Sequence, residues 1–276
     1  MQPVSEAFLA ALEECVEGAE PEAVHRVRTG SRRLQAMIES TTPSGAFGKL
    51  TKARLRQLKK IRRAAGPVRD LDVQRKLLEQ WTRGEAGHPL RDQALALDAW
   101  LKNQRNDQAK NMLEAISKPQ QRLTELGPLP RFEVGKSAGG ADAVAMDFFA
   151  RAAYAMPHLD GENLHDFRKA AKKARYIAES GGLERPLEPS SVGKALKRIQ
   201  DAIGEWHDWL CLRRDARKAL GEDVAELSAA LDAEVERHFS SAINTTESLR
   251  GRLLGEWQAV KRPAARATAS QSRRTA

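Results

Sequence analysis

The chain has 276 residues, with 46 Lys and Arg against 37 Asp and Glu, 41% hydrophobic residues and 5% aromatic. This length supports one large domain or two modest ones with real cores, and no run of eighteen or more uncharged apolar residues is present to cross a membrane. Residues 1–22 hold six acids, no base and too short an apolar run for a secretion signal, so a soluble cytoplasmic protein is expected. Cys15 and Cys211 are too few for a disulfide framework or a zinc site and read as reduced, packed thiols.

Helical periodicity runs through almost all of the sequence, and no strand alternation is flanked by hairpin turns. An all-α fold follows. After the acidic opening, residues 24–40 form a two-sided helix: His25, Arg28 and Arg32 share an arc of about 60°, and Val24, Val27, Leu34 and Ile38 face the other way. A break is expected at 41–48. The next helix carries Lys52, Arg56, Lys59 and Arg63 on a similar arc, with Leu55, Leu58, Ile61 and Ala65 opposite, and it is expected to break at Ala65-Gly66-Pro67.

Further breaks are expected at 84–89, 126–140, 157–161, 181–189 and near Gly221. Residues 92–116 and 222–260 read as long scaffold helices, the second interrupted around 244–246. In 164–180 the basic stripe recurs as His165, Arg168 and Lys172, extended by Arg175 and flanked by Lys169, with Leu164, Phe167, Ala171, Ala174 and Ala178 opposite. Lys194, Lys197 and Arg198 form a weaker row. Beyond 260 the chain is rich in Ala, Ser and Arg, holds five bases and no acid, and is expected to be disordered.

An internal repeat organises these elements. Residues 24–40 align with 164–180 at an offset of 140, pairing His25 with His165, Arg28 with Arg168, and Arg32-Arg33 with Lys172-Lys173. Residues 58–70 align with 196–208 at an offset of 138, pairing Lys59 with Lys197, Lys60 with Arg198, Gly66 with Gly204 and Asp70 with Asp208. Two blocks in one order imply a duplicated unit of about four helices. The expected division is two four-helix bundles, 1–130 and 142–260, joined by a linker at 131–141, related by a pseudo-twofold axis and followed by a tail at 261–276.

The charge is concentrated: residues 24–76 contain fifteen bases and three acids, whereas residues 219–260 contain eight acids and three bases. A solvated helix face normally mixes signs, but these rows place like charges at i,i+4, costing roughly a few tenths of a kcal/mol per close pair. An external anion would neutralise them. No G-x-x-x-x-G-K-[ST] loop or strand-linked G-x-G-x-x-G cradles a compact nucleotide phosphate. Phe47 is the only aromatic residue from 24 to 80, which disfavours base stacking with single-stranded nucleic acid. A long inorganic polyphosphate, bound by Arg forks and mobile Lys charges, fits best.

Arg69 and His207 would add donors beside the repeat's Asp70 and Asp208, which read as caps of a following helix. Metal ligation fits the histidines poorly, because neither His25 nor His165 has a second His or a carboxylate at i+3 or i+4. Two alternatives stay open. One is a polyphosphate hydrolase or phosphotransferase using His25 or His165 as nucleophile, or a cation held by Asp70 and Asp72. The other is an RNA- or DNA-binding scaffold with the basic tail as an arm.

His25-x-x-Arg28 with Arg32-Arg33, His165-x-x-Arg168-Lys169 with Lys172-Lys173, and the paired LK-containing and G-x-x-x-D blocks resemble the CHAD domain, the conserved histidine α-helical domain, over roughly residues 4–258. The resemblance implies two four-helix subdomains around a basic central cavity and binding of inorganic polyphosphate, with association to polyphosphate granules. Family members are frequently fused to a triphosphate tunnel domain with a Glu-x-Glu-x-Lys signature, which this sequence lacks, so a stand-alone binding domain without catalysis, cofactor or metal is expected. The expected binding residues are His25, Arg28, Arg32, Arg33, Lys52, Arg56, Lys59, Lys60, Arg63 and Arg69 in the first half. In the second they are His165, Arg168, Lys169, Lys172, Lys173, Arg175, Lys194, Lys197, Arg198 and His207. Asp201 and Glu205 intrude among the second set, so the first half should bind more strongly.

Overall fold

The structure is a computed structural model that describes residues 4–41, 48–84, 88–127, 138–180, 190–221 and 225–272. These form eight α-helices: α1 Val4–Gly18, α2 Pro21–Thr41, α3 Lys49–Arg83, α4 Arg91–Glu125, α5 Ala138–Ala155, α6 Leu164–Ser180, α7 Ser191–Leu220 and α8 Ala225–Ser272. A short 3-10 turn at His88–Leu90 precedes α4, and no strand occurs among the described residues. The all-α expectation holds. No described helix is long and apolar enough to cross a membrane.

The chain divides into two compact units, Met1–Glu133 with Asp208–Val235, and Val134–His207 with Glu236–Ala276. Both α7 and α8 are therefore shared between units, which a single cut at 131–141 does not describe.

In the first unit the apolar spacing sets the packing. Phe8, Ala11, Leu12 and Cys15 line one face of α1 and are buried, as are Val24, Val27, Leu34 and Ile38 of α2, the face expected from the sequence. Leu58, Ile61, Ala65 and Val68 of α3 and Met112 and Ile116 of α4 complete this core. Burial pushes the Cys15 thiol up to about 11, so the sulfur is a packed core atom and not a nucleophile. Arg105 of α4 ties the unit together: it donates to Asp72 Oδ1 of α3 at 3.0 Å and to the carbonyl of Ala19, in the turn between α1 and α2. That pair is nearly dry, with side chains 12% and 4% exposed.

The second unit is built on α5 and α6. Leu164, Phe167, Ala171 and Ala174 are fully buried, and Phe167 packs edge-on against Phe149 at 5.7 Å. Ala178, expected on the same face, is half-buried. Asp160 starts α6 by accepting from the Glu162 and Asn163 amides at 2.9 and 3.0 Å, and Ser190 starts α7 by accepting from the Gly193 amide at 3.0 Å. Gly221, at φ 65°, ends α7 in the left-handed region that L side chains avoid.

Three expectations need correction. The break at Ala65-Gly66-Pro67 does not occur: α3 runs through Pro67, which leaves the Arg63 carbonyl without its usual amide donor while buried neighbours on both sides hold the helix. The interruption at 244–246 is likewise absent, since α8 continues through it. The tail expected to be disordered is helical to Ser272, because an established helix propagates cheaply into an Ala-rich sequence. The expected breaks at 42–47 and 181–189, the 128–137 part of the linker region and residues 273–276 lie outside the described residues.

Candidate anion-binding site

In the first unit, α2 and α3 carry the expected cations. His25 and Arg33 are exposed, and Arg28 and Arg32 are half-buried. Arg28 donates from Nη1 to the Gly66 carbonyl at 2.8 Å and to Asp70 Oδ1 at 2.7 Å. Asp70 lies inside α3 and so is an ion-pair partner, not a helix cap; Asp208 is likewise inside α7. Asp72 is held by Arg105, so the two aspartates expected as a cation site each already face an arginine. Among the described residues, no group of three or more His, Cys, Asp or Glu is arranged to hold a metal ion.

Several bases in this stretch are satisfied internally. Arg26 pairs with Glu14, Arg62 bonds Gln35, Arg75 grips Asp98 in a fork at 2.8 and 3.0 Å, and the buried Arg54 donates to the Leu126 carbonyl at 2.8 Å. What they leave is the row predicted on α3. Lys52, Arg56, Lys59, Lys60 and Arg63 are all exposed, and none pairs with a carboxylate among the described residues.

Arg69 is half-buried and lines a cleft of about 840 Å³ with Glu22, Asp72, Arg75, Lys76 and Arg91, the last two being cations the sequence reading did not select. It also acts on His25. Loss of hydration holds the His25 pKa below the usual imidazole value, followed by repulsion from Arg69, Arg28 and Arg32, with Glu22 opposing.

The second unit repeats the stripe with different company. His165, Arg168, Lys172 and Arg175 are half-buried, and Lys169 and Lys173 are exposed. Lys169 pairs with Asp166 at 2.8 Å, Arg175 with Glu179 at 3.4 Å, and Lys197 with Asp201, while Lys173 sits 4.7 Å from the centre of the Phe148 ring. His207 stacks on His165, with ring centres 5.3 Å apart. The His165 pKa is lowered by loss of hydration, then by Lys169, His207 and Arg168, against a smaller opposing pull from Asp166. Lys194 and Arg198 are exposed, and Arg198 lines a separate groove with α8.

The glycines of the second repeat block have a role that turn chemistry did not suggest. Both are inside helices, and each lies against the arginine of the first block. A Cβ on Gly204 would stand 3.0 Å from Arg168 Nη2, and one on Gly66 4.0 Å from Arg28 Nη1. Arg28 bonds the Gly66 carbonyl, and Arg168 reaches the Gln200 carbonyl at 3.5 Å. The missing side chain lets a guanidinium lie against the neighbouring helix. The signal was present in the alignment, where Arg and Gly recur together in both repeats.

Fold and site thus define an all-helical protein with aligned, partly uncompensated cations. Residues 2–217 match the CHAD domain, and the chain belongs to that family, which is associated in general with polyphosphate and triphosphate binding. Among solved structures it is similar to the CHAD domain from the plant Ricinus communis, with 21% identity, 91% of each chain covered and a TM-score of 0.57. PptA from Streptomyces chartreusis is similar at 15% identity, with 92% of this chain and 95% of that one covered and the same TM-score. A search of the curated proteins finds no match.

Proposed function

We propose that this protein binds inorganic polyphosphate without turning it over, with the α3 row and its α2 neighbours as the principal contact and the α6–α7 cations as a weaker one. The observation that carries this reading is the set of five exposed bases on α3, Lys52, Arg56, Lys59, Lys60 and Arg63, with no carboxylate partner among the described residues. Like charges along one helix face repel, and an extended chain of phosphates removes that repulsion while releasing its own counterions. Arg28, fixed by Gly66 and Asp70, offers a pre-positioned donor beside the row. The protein is cytoplasmic in this reading and associates with polyphosphate granules through the same cations.

Titration with size-fractionated polyphosphate at several salt concentrations tests this. Affinity should rise with chain length and fall steeply with salt, by roughly 0.7–0.9 in the log–log slope per neutralised phosphate if polyphosphate behaves as nucleic acids do. Equal affinity for short and long chains at matched chain concentration would overturn it. Shortening of the chains on incubation with Mg²⁺ or Mn²⁺ would convert the binding module into an enzyme. Preferential capture of transfer RNA or duplex DNA at physiological salt would replace polyphosphate by nucleic acid.

A further inference from the structure

The run Asn244-Thr245-Thr246 suggested an interruption in the sequence, yet α8 passes straight through it. Asn and Thr are poor helix formers, so their presence in a helix interior calls for another use. Asn244, Ser248 and Arg252 recur every four residues, and together with Thr245 and Leu249 they face Arg198 of α7 across a groove of about 410 Å³. The lining holds two guanidinium groups, an amide and two hydroxyls, and no carboxylate.

We infer that this α7–α8 groove is a second anion site, separate from the α3 row, that takes a compact phosphate group: free orthophosphate or pyrophosphate, or the end of a longer chain. Guanidinium forks and hydroxyl donors match the several acceptor oxygens of a phosphate, and Leu249, nearly fully buried, gives the groove an apolar floor. Arg198 is exposed and has no ion pair among the described residues, although its neighbour Lys197 is paired with Asp201. Among the described residues Arg252 pairs only with Glu256, at 3.9 Å with both side chains more than half exposed, a contact that an incoming phosphate displaces at little cost. Glu247, the other nearby acid on α8, is occupied with Arg250. The groove lining has one sign of charge, whereas the rest of α8 mixes acids and bases. This inference extends the α6–α7 part of the proposed function, to which Arg198 belongs, but does not rest on polyphosphate binding by the α3 row.

The test uses the full chain labelled with ¹⁵N and titrated with orthophosphate, pyrophosphate and long polyphosphate, in the wild type and in K52Q/R56Q/K59Q/R63Q. Saturable shifts of the Arg198 and Arg252 Nε–H signals and of the Ser248 amide are expected in both proteins. R198Q and R252Q should each weaken that binding about tenfold, the usual loss for one charge-assisted contact, and S248A about threefold. Both arginines are exposed, so circular dichroism should show helicity unchanged. Saturation by orthophosphate or pyrophosphate assigns the free ion, and saturation by the long chain alone assigns the chain end. Either upholds the groove. No saturable shift with any of the three, or undiminished binding in R198Q/R252Q, overturns it. Loss of long-chain binding in the α3 variant alone would concern the principal site only.

Discussion

The α2–α3 cations of the first unit and the α6–α7 cations of the second come from matching blocks of sequence, yet they differ in what neutralises them. On α3 five exposed bases have no carboxylate partner among the described residues, whereas Lys169, Arg175 and Lys197 of the second unit each pair with an acid one turn away on the same helix. The stripe recurs in both blocks, and the acids Asp166, Glu179 and Asp201 determine how much of the second copy remains available to a ligand. Exposed pairs such as Lys169–Asp166 and Lys197–Asp201 contribute little to stability, so their main effect here is on binding, since each must be displaced before its base can meet a phosphate, while Arg175 is half-buried as well as paired.

The largest expected effect follows from this contrast. K52Q/R56Q/K59Q/R63Q should lower affinity for long polyphosphate by roughly a hundredfold or more at physiological salt and flatten the salt dependence by about three in log–log slope. In the second unit K169Q/K172Q/K197Q, which removes three charges instead of four, should cost less than about tenfold. Isothermal titration of both variants decides the comparison, and equal losses would mean that the pairing in the second unit is irrelevant to binding.

Protonation gives the next effect. His25 and His165 are both held below the usual imidazole pKa, chiefly by loss of hydration and then by surrounding cations. A phosphate brought to either ring raises its pKa, so binding takes up protons and affinity increases as pH falls from the raised bound-state pKa to the lowered free-state one. Across pH 7.5 to 5.5 the gain should approach about tenfold per histidine at most, read as proton uptake by calorimetry in buffers of differing ionisation enthalpy. Without ligand the sign reverses. The unfolded chain binds these protons more readily, so stability is fully present above about pH 6.5 and declines as pH drops toward the folded-state pKa. H25Q should remove more of the ligand-linked proton uptake than H165Q, because His165 shares its site with His207 and with the paired Lys169.

The repeat glycines distinguish the units at the level of packing. Gly204→Ala places a methyl 3.0 Å from Arg168 Nη2, so the guanidinium must shift, and the substitution should bring none of the stability of up to about 1 kcal/mol that Gly→Ala normally adds inside a helix. Pro67→Ala in the first unit should stabilise by about 1–2 kcal/mol, since it restores an amide donor within α3 and removes a poor helix residue, offset in part by a freer unfolded chain. Urea unfolding measures both. A Gly204→Ala variant more stable than wild type would show that the arginine contact is loose.

Much of this was legible in the sequence. The buried faces of α2 and α6 are the alternating Val24, Val27, Leu34, Ile38 and Leu164, Phe167, Ala171, Ala174 sets, because a 3.6-residue period records which side of a helix leaves water. The α3 row was visible for the same reason. Continuity through Gly66-Pro67 was not, because local propensity opposes it and only buried neighbours such as Ala65 and Val68 override it. Nor could spacing along one helix reveal partners on another: Asp70 meets Arg28 across 42 positions, and Asp72 meets Arg105 across 33. Of fifteen bases between 24 and 76, the sequence could count the surplus but not tell that Arg26, Arg54, Arg62 and Arg75 are held internally.

The smallest effect converts one unit toward the other. Asp166→Asn and Asp201→Asn leave side chains of the same shape but release Lys169 and Lys197, both exposed, from their intrahelical partners. Each change should raise polyphosphate affinity about two- to threefold, because a base no longer has to give up its weak, solvent-screened pair and one nearby negative charge is gone. Stability should change little, which keeps the readout on binding. The effect should be visible at low salt and fade toward high salt, since both pairs are solvent-screened. In K52Q/R56Q/K59Q/R63Q the same two substitutions should recover a larger fraction of the remaining affinity, because the second unit then carries most of the contact. If they recover nothing there, the second unit is silent toward polyphosphate and the α3 row acts alone.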